Sequence, residues 1–372
     1  MSRPFSNHTR KMYRITLKAI LIGSLSVGLL HSAVAQNIHW QQYGSLPVLM
    51  QQQNNGSTQV LKFVTFKDGL LVAELDGGVG EVSLPVSESM VKSLRLAVDT
   101  EKARALIDAD DYTTAVTLLR PEVYPLIKFH QVPDTFVALH VPVQLMINTL
   151  IRAGELNEAE DIINRIALTK VGNSYSQCTI RLMNAYIATK DFNSAARIAK
   201  ILPVDGIYTP NMSSVADAAD ALRGAGQYDE VIPLYRAMEE VVTGETLDNV
   251  RMWLAYSLVL SDNLAEATPM IDAMEEPEPK ERLFSLYKLL QGSKAHREER
   301  YKDALDLLTR GFVRAQTSYV WVPEMLYLIG DCYARANDNT AARNVWTEIV
   351  ILYPDSPWAA NAQTSLDKLP KS

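Results

Sequence analysis

Cysteine is scarce in this sequence: the 372 residues contain two, Cys178 and Cys332, and neither belongs to a Cys-x-x-Cys pair. So few cysteines exclude the class of small secreted domains that are held together by a framework of disulfides. The missing Cys-x-x-Cys pair argues against a thiol–disulfide exchange protein. Both cysteines fall within apolar patterns of helical period, so we expect two separate buried thiols.

An excess of positive charge is also absent. Lys and Arg number 36 against 43 Asp and Glu, which gives a net charge of −7. Five of the basic residues and none of the acidic ones lie in residues 1–35, so residues 36–372 have 31 basic and 43 acidic side chains and a net charge of −12. Non-specific nucleic-acid binding depends on a cationic surface that attracts the phosphate backbone. We therefore expect no nucleic-acid partner.

The familiar catalytic motifs are missing as well. The sequence contains no His-Glu-x-x-His, no Gly-x-Ser-x-Gly, no phosphate-binding Walker loop and no EF-hand loop. No nucleophile is paired with a base at a recognisable spacing. We therefore predict that the protein is not an enzyme and has no cofactor.

Two groups of side chains are candidates for metal sites. His130, Asp134 and His140 carry suitable ligand atoms, but prolines between and after them break the helix that would align the three. The aspartates of residues 108–111 have the charge to attract a cation, and a solvated helix end is the simpler interpretation. We expect no metal site in either place.

Apolar runs are short. The longest, Ala19–Leu30, follows a basic stretch and spans about 18 Å as a helix, well short of a bilayer's hydrocarbon core. It is followed by Ala33-x-Ala35, small residues of the kind that signal peptidase accepts. We predict a signal peptide over 1–35, cleaved near Ala35, and an exported, periplasmic protein. An uncleaved membrane anchor is the alternative.

Residues 36–86 show a different period and predict a small β-rich module. Short β-prone runs over 60–66, 70–75 and 79–84 are separated by Asp-Gly turns, which indicates a three-stranded meander. The Gln- and Asn-rich stretch 51–55 is interpreted as an exposed loop or linker. About 50 residues are few for an independent core, so the module is expected to pack on the segment that comes after it in the chain.

A six-residue phrase recurs from residue 110 onward: a turn residue, a variable residue, usually an aromatic residue or Leu, two more residues, and then Ala or Val. Its third position is occupied by Tyr112, Leu156, Phe192, Tyr228, Leu264, Tyr301 and Asn339, at spacings of 44, 36, 36, 36, 37 and 38 residues. Each copy lies between two apolar patterns of helical period. The repeating unit is therefore a helix–turn–helix of about 36 residues.

These repeats resemble the tetratricopeptide repeat (TPR) family, whose ideal unit has 34 residues. The last copy matches the family pattern best, with its key positions filled by Leu326, Ile329, Gly330, Tyr333, Ala342, Trp346, Ile349 and Pro354. Other copies also have a small residue where the two helices would cross, namely Ala103, Ala219, Ala255 and Gly292. A further helix from about residue 355 to Leu369 would cap the array.

The resemblance implies a mainly α fold: a right-handed superhelical α-solenoid of about seven repeats over 87–372, preceded by the β-meander. It also implies a concave groove lined by the first helices of the repeats. By the family's geometry the side chains that face the groove are Asn184, Asp220, Tyr256, Tyr327 and Asp331, with Arg335 nearby. Some members hold a peptide's terminal carboxylate with a basic clamp. Here only Asn184 agrees with that clamp, and its Lys and Arg positions are not matched.

A groove of this kind suits an extended peptide or a partner helix. Together with the predicted export, the resemblance suggests a non-enzymatic scaffold or adaptor in a bacterial cell envelope, with protein or peptide partners and a possible association with the outer membrane or cell wall through them. The alternative is an accessory protein of envelope biogenesis that associates with polysaccharide or peptidoglycan.

Overall fold

The computed structural model describes residues 46–53, 55–85, 94–130 and 138–370. The expected signal peptide over 1–35, its cleavage near Ala35, and Asp134 lie outside the described residues. The chain divides into two compact units, with the boundary between Ala185 and Tyr186.

The β-rich module is an antiparallel sheet of five strands in the described residues, with the order β4-β3-β2-β1-β5. The strands are β1 (Val48–Gln52), β2 (Thr58–Lys67), β3 (Leu70–Leu75), β4 (Glu81–Pro85) and β5 (Leu94–Leu96). Strands β2 to β4 confirm the predicted meander. Two strands were not predicted: β1 includes part of the stretch 51–55 that was expected to be a loop, and β5 lies beyond the expected module boundary at residue 86.

One face of the sheet is apolar, and an aromatic residue on it contacts the turn at Phe129 in the same unit. Leu49, Leu61 and Leu71 are fully buried, and so is Phe63 in β2. The Phe63 ring stacks on that of Phe129, with centroids 3.9 Å apart. The sheet is therefore joined to the helical part of its own unit by an aromatic contact, as its small size requires.

The rest of the described chain is helical and confirms the predicted fold class: mainly α, with TPR-like helix pairs after a small sheet. The fifteen described helices are α1 (Glu101–Asp108), α2 (Tyr112–Ile127), α3 (His140–Ala153), α4 (Leu156–Arg165), α5 (Ser176–Ala188), α6 (Phe192–Ile201), α7 (Met212–Gly224), α8 (Tyr228–Glu239), α9 (Glu245–Leu260), α10 (Leu264–Ala273), α11 (Arg282–Arg297), α12 (Tyr301–Arg314), α13 (Val322–Arg335), α14 (Asn339–Leu352) and α15 (Pro357–Lys368). None of the described helices combines the length and apolarity that crossing a membrane requires.

Each copy of the phrase forms the same turn. The first residue of every copy has a positive φ, between 60° and 77°, at Asp110, Gly154, Lys190, Gly226, Asp262, Glu299 and Asn337. The N–H of the next residue donates to a carbonyl five residues earlier, and that distance is 2.9 Å in all seven copies. This is the Schellman closure of a helix C-terminus. The repeat found in the sequence is thus a repeat of backbone geometry.

The last residue of the phrase is small because it is fully enclosed. Ala115, Ala159, Ala195, Val231, Ala267, Ala304 and Ala342 all have an exposed fraction of 0%. The small residues expected at helix crossings are buried too. At Gly330 an added Cβ would lie 2.4 Å from Nε1 of Trp346, and at Gly292 it would lie 2.6 Å from Cγ of Leu308. Paired helices therefore approach closely wherever the pattern has Ala or Gly.

Non-glycine residues at the positive-φ turn position should reduce stability. Because the left-handed region costs an L-residue about 1 kcal/mol, Glu299→Gly should raise the free energy of unfolding by up to about that amount. Gly226→Ala, at the same position of another repeat, should lower it by about as much. Urea denaturation of the two variants checks the opposite signs, and a shift in the same direction for both would contradict the assignment.

The two cysteines are buried free thiols, as expected. Burial raises the pKa of Cys178 and of Cys332 to about 12. Neither thiol is therefore ionised near neutral pH, which makes both inert as nucleophiles.

Candidate functional site

The first unit has a cleft of about 630 Å³ that is lined by α1, α3 and α5, the first helices of three successive repeats. Its apolar lining residues are Ile107, Leu145, Ile151 and Ala185. Its polar lining residues are Asn148, Thr149, Arg152, Arg181 and Asn184. We refer to this site as the first-helix cleft.

Repeat geometry explains why these side chains meet. Asn148 and Asn184 are 36 residues apart, the same spacing as between Leu156 and Phe192 in the phrase. The two asparagines therefore occupy equivalent positions on α3 and α5. A side-chain amide offers both a donor and an acceptor, the pair of groups that a peptide bond can match.

Two arginines give the first-helix cleft its charge. Arg181 donates from Nη1 to Oδ1 of Asn148 at 2.9 Å, which fixes both side chains across the gap between α5 and α3. The guanidinium of Arg152 lies over the Tyr112 ring, 5.6 Å from its centroid. The Tyr112 hydroxyl donates to the Asp110 carboxylate, a bond that raises the pKa of Tyr112. The lining residues include two cations and no carboxylate.

Thr149 contributes little to binding capacity. It is buried, and its hydroxyl donates to the carbonyl of Leu145 within α3 at 2.7 Å. The polar groups that face the cleft with binding capacity are thus two amides and two guanidiniums.

Of the residues predicted to face a groove, Asn184 lies in the first-helix cleft and the other five lie in the second unit. Asp220 is exposed and accepts from Arg223 at 2.7 Å. The Arg223 guanidinium also stacks on Trp253, 3.5 Å from the ring centroid, and donates to the Tyr235 hydroxyl at 2.5 Å. Asp220 therefore serves as a partner that orients a half-buried arginine.

Tyr256 was expected to face a groove, and the structure buries it, with 6% of the residue exposed. Its hydroxyl donates to Oε2 of Glu324 at 2.6 Å. Trp253, one turn earlier on α9, makes an edge contact with Trp321, with centroids 5.5 Å apart. These contacts join α9 of the fifth repeat to the start of α13 in the seventh. Tyr256 is thus enclosed by side chains of the chain itself.

Glu324 is a buried carboxyl group, 2% exposed. Loss of solvation on burial raises its pKa to about 7, against the lowering effect of the Tyr256 hydrogen bond and of Arg297. Sequence reasoning missed this residue because an isolated Glu in the first turn of a helix is an ordinary surface pattern.

The last three predicted groove residues are tied into the structure of the C-terminal repeats. Oδ2 of Asp331 lies 2.7 Å from Nε2 of His296 and 3.3 Å from Nε of Arg335. The hydrogen bond with His296 is the main cause of a lowered pKa at Asp331. The half-buried Tyr327 ring stacks on Trp346 and packs on Trp358 of α15, with centroids 6.1 and 5.1 Å apart. Tyr327 thereby helps to anchor the capping helix.

The metal-site candidates gain no support. Nδ1 of His130 lies 3.1 Å from the carbonyl of Ile127. Among the described residues, no group of three or more His, Cys, Asp or Glu side chains is placed to hold a metal ion.

Comparisons with known proteins give distant likenesses. No protein-family profile and no curated protein matches the sequence. The APC/C hetero-tetramer Cut9–Hcn1 is 16% identical over 70% of this chain and 52% of its own, with a TM-score of 0.40. The chain thus spans about half the length of that relative. PilF of Pseudomonas aeruginosa is 12% identical over 61% of this chain and 97% of its own, with a TM-score of 0.36. YrrB, a TPR protein with an unusual peptide-binding site, is 14% identical over 50% of this chain and 91% of its own, with a TM-score of 0.31. Structural similarity at TM-scores this low supports no conclusion about function.

Proposed function

We propose that the protein is a non-enzymatic scaffold for protein–protein interaction and that it binds a peptide segment of a partner in the first-helix cleft. The observation that carries this is the cleft itself, formed by equivalent helices of three repeats. Its volume of about 630 Å³ lies within the range of ordinary ligand sites.

The chemistry of the lining suits a peptide. Leu145 and Ile151 are half-buried and offer apolar surface for side chains, while the two asparagine amides offer partners for main-chain N–H and C=O groups. Concave surfaces made by stacked repeats are a common way to bind extended segments.

A photo-cross-linking residue at Leu145 tests this proposal. Its matched control is the same residue at Leu118, an exposed leucine on α2 that does not line the cleft. We expect a protein adduct from position 145 and none from position 118. The cross-linked segment, made as a synthetic peptide, should then bind the purified chain and suppress the adduct. Equal adducts from both positions would contradict the proposal.

We further propose that the protein works in a bacterial cell envelope after export. The support is sequence alone: the basic start, the twelve apolar residues Ala19–Leu30 and Ala33-x-Ala35. N-terminal sequencing of the mature protein should begin at or near Gln36. An intact N-terminus in the membrane fraction would show a tethered protein instead. Binding to purified sacculi free of protein would favour the accessory role with peptidoglycan.

A further inference from the structure

We propose that the first-helix cleft selects segments that carry Asp or Glu side chains, which Arg152 and Arg181 bind. This inference rests on the proposed function, because it names the class of peptide that the same site takes.

The sign of the charge is the first argument. The part of the chain beyond residue 35 has a net charge of −12. Against that background, the lining of the first-helix cleft has two arginines and no acidic side chain. An acidic ligand is repelled by most of such a surface and attracted here, so electrostatics directs it to this site.

The state of the arginines is the second argument. Both are exposed, so their guanidiniums are open to a ligand from the cleft. Arg181 donates to the neutral amide of Asn148, and Arg152 lies over the ring of Tyr112. A guanidinium that retains free N–H groups binds a carboxylate through two parallel hydrogen bonds, which amides and hydroxyls do not match.

Spacing is the third argument. Arg152 belongs to α3 and Arg181 to α5. The Arg181 guanidinium reaches Asn148 of α3, which lies four residues before Arg152 and so about 6 Å from it along the helix, a distance of the order that two or three residues of an extended chain cover. Two carboxylates about three residues apart on one segment would therefore reach one arginine each, while Asn148 and Asn184 bind its main chain.

Twelve-residue peptides test this. One series is built from a Ser-Glu-Leu repeat, and matched series carry Gln or Lys in place of Glu. Each is made with a free and with an amidated C-terminus. Binding to the purified full chain is measured by fluorescence polarisation at two salt concentrations. The protein variants are Arg152→Glu with Arg181→Glu, and a matched charge reversal, Arg310→Glu with Arg314→Glu, at exposed positions on α12 that do not line the cleft.

We expect the Glu peptides to bind about tenfold or more tightly than the Gln peptides, with or without amidation, and the Lys peptides not to bind. Added salt should weaken binding of the Glu peptides. The double variant in the cleft should bind the Glu peptides about tenfold or more weakly than the wild type. The control variant on α12 should bind them as the wild type does.

Equal binding of Glu and Gln peptides would overturn the inference while leaving a peptide-binding scaffold in place. Loss of binding on amidation would assign the arginines to a terminal carboxylate instead of side chains. Displacement of the peptide by a single-stranded oligonucleotide at the same salt would point to a phosphate ligand and also overturn it. If no peptide binds while position 145 still cross-links a partner, the selection of acidic segments is wrong. If that adduct is missing too, the proposed function fails with it.

Discussion

Replacing Glu324 with Gln should remove most of the loss of stability that the protein shows between pH 5 and pH 8. The pKa of Glu324 is about 7 in the folded chain, and its ordinary value is 4.5. A carboxyl group whose pKa is raised by folding contributes full stability below pH 4.5 and loses it as the pH rises towards 7. The loss corresponds to about 3 kcal/mol. Gln keeps the shape and the acceptor for the Tyr256 hydroxyl and carries no charge.

Urea denaturation followed by circular dichroism at several pH values measures this effect. The wild type should be less stable at pH 8 than at pH 5, and Glu324→Gln should be the more stable of the two at pH 8. Glu348→Gln is the matched control, because Glu348 is an exposed residue on α14, and it should follow the wild-type profile. If the stability of Glu324→Gln fell between pH 5 and pH 8 as much as that of the wild type, the pH dependence would belong to other groups.

Gly330→Leu should release the C-terminal repeat and its cap. A Cβ at this position would lie 2.4 Å from Nε1 and 2.6 Å from Cδ1 of Trp346, so α13 and α14 must separate. The Trp346 indole also donates to the carbonyl of Tyr327 at 3.1 Å, and the Tyr327 ring packs on Trp358 of α15. One added side chain thus disturbs three helices, at a cost of about 1–3 kcal/mol.

Hydrogen exchange along the chain should show this loss as a gradient. Protection should fall in α13 to α15 and remain near Tyr112 and Leu156, because repeats depend mainly on their neighbours. Gly224→Leu is the matched control, since an added Cβ at the end of α7 would have no atom within 4 Å. Uniform loss that reaches the strands over 60–84 would show a single cooperative globule and would rule out the repeat interpretation.

The sequence predicts the turns well because one backbone geometry recurs in all seven. In each copy the first residue has a positive φ and the sixth is small and buried. This pattern can be recognised in the sequence even where the first residue is Lys or Glu, as at Lys190 and Glu299. The capping helix is confirmed for a similar reason: Ser356 accepts from the N–H of Trp358, and Pro357 begins α15.

Strand β1 was missed because its solvent side resembles a loop. Gln51 and Gln52 pair with Gln59 and Thr58 of β2, and the Gln53 side chain donates to that of Gln59 at 2.7 Å. Because these side chains are polar and hydrogen-bond to each other across the sheet, the segment lacks the alternation of apolar and polar residues by which a strand is recognised in a sequence. Such a segment becomes a strand because it pairs with another part of the chain, and a local sequence pattern does not reveal that pairing.

The candidate site could be predicted only in part. Asn184 was found from its position in the repeat, and its equivalent Asn148 could have been found by stepping back 36 residues. Arg152 and Arg181 occupy other positions on their helices, so their approach depends on how α3 and α5 pack. The burial of Tyr256 against Glu324 links residues 68 positions apart, a separation that no repeat pattern specifies.

The placement of tryptophan gives the two halves of the chain different optical behaviour. The sequence has five tryptophans. Four of them, Trp253, Trp321, Trp346 and Trp358, belong to the second unit, and Trp40 lies outside the described residues. Two of the four are in contact with each other, and Trp253 lies under a guanidinium. Tryptophan emission from a Trp40→Phe variant is therefore a built-in reporter of the C-terminal half. An unfolding curve recorded by emission and one recorded by helical signal should differ if the halves melt independently, without any label having been attached.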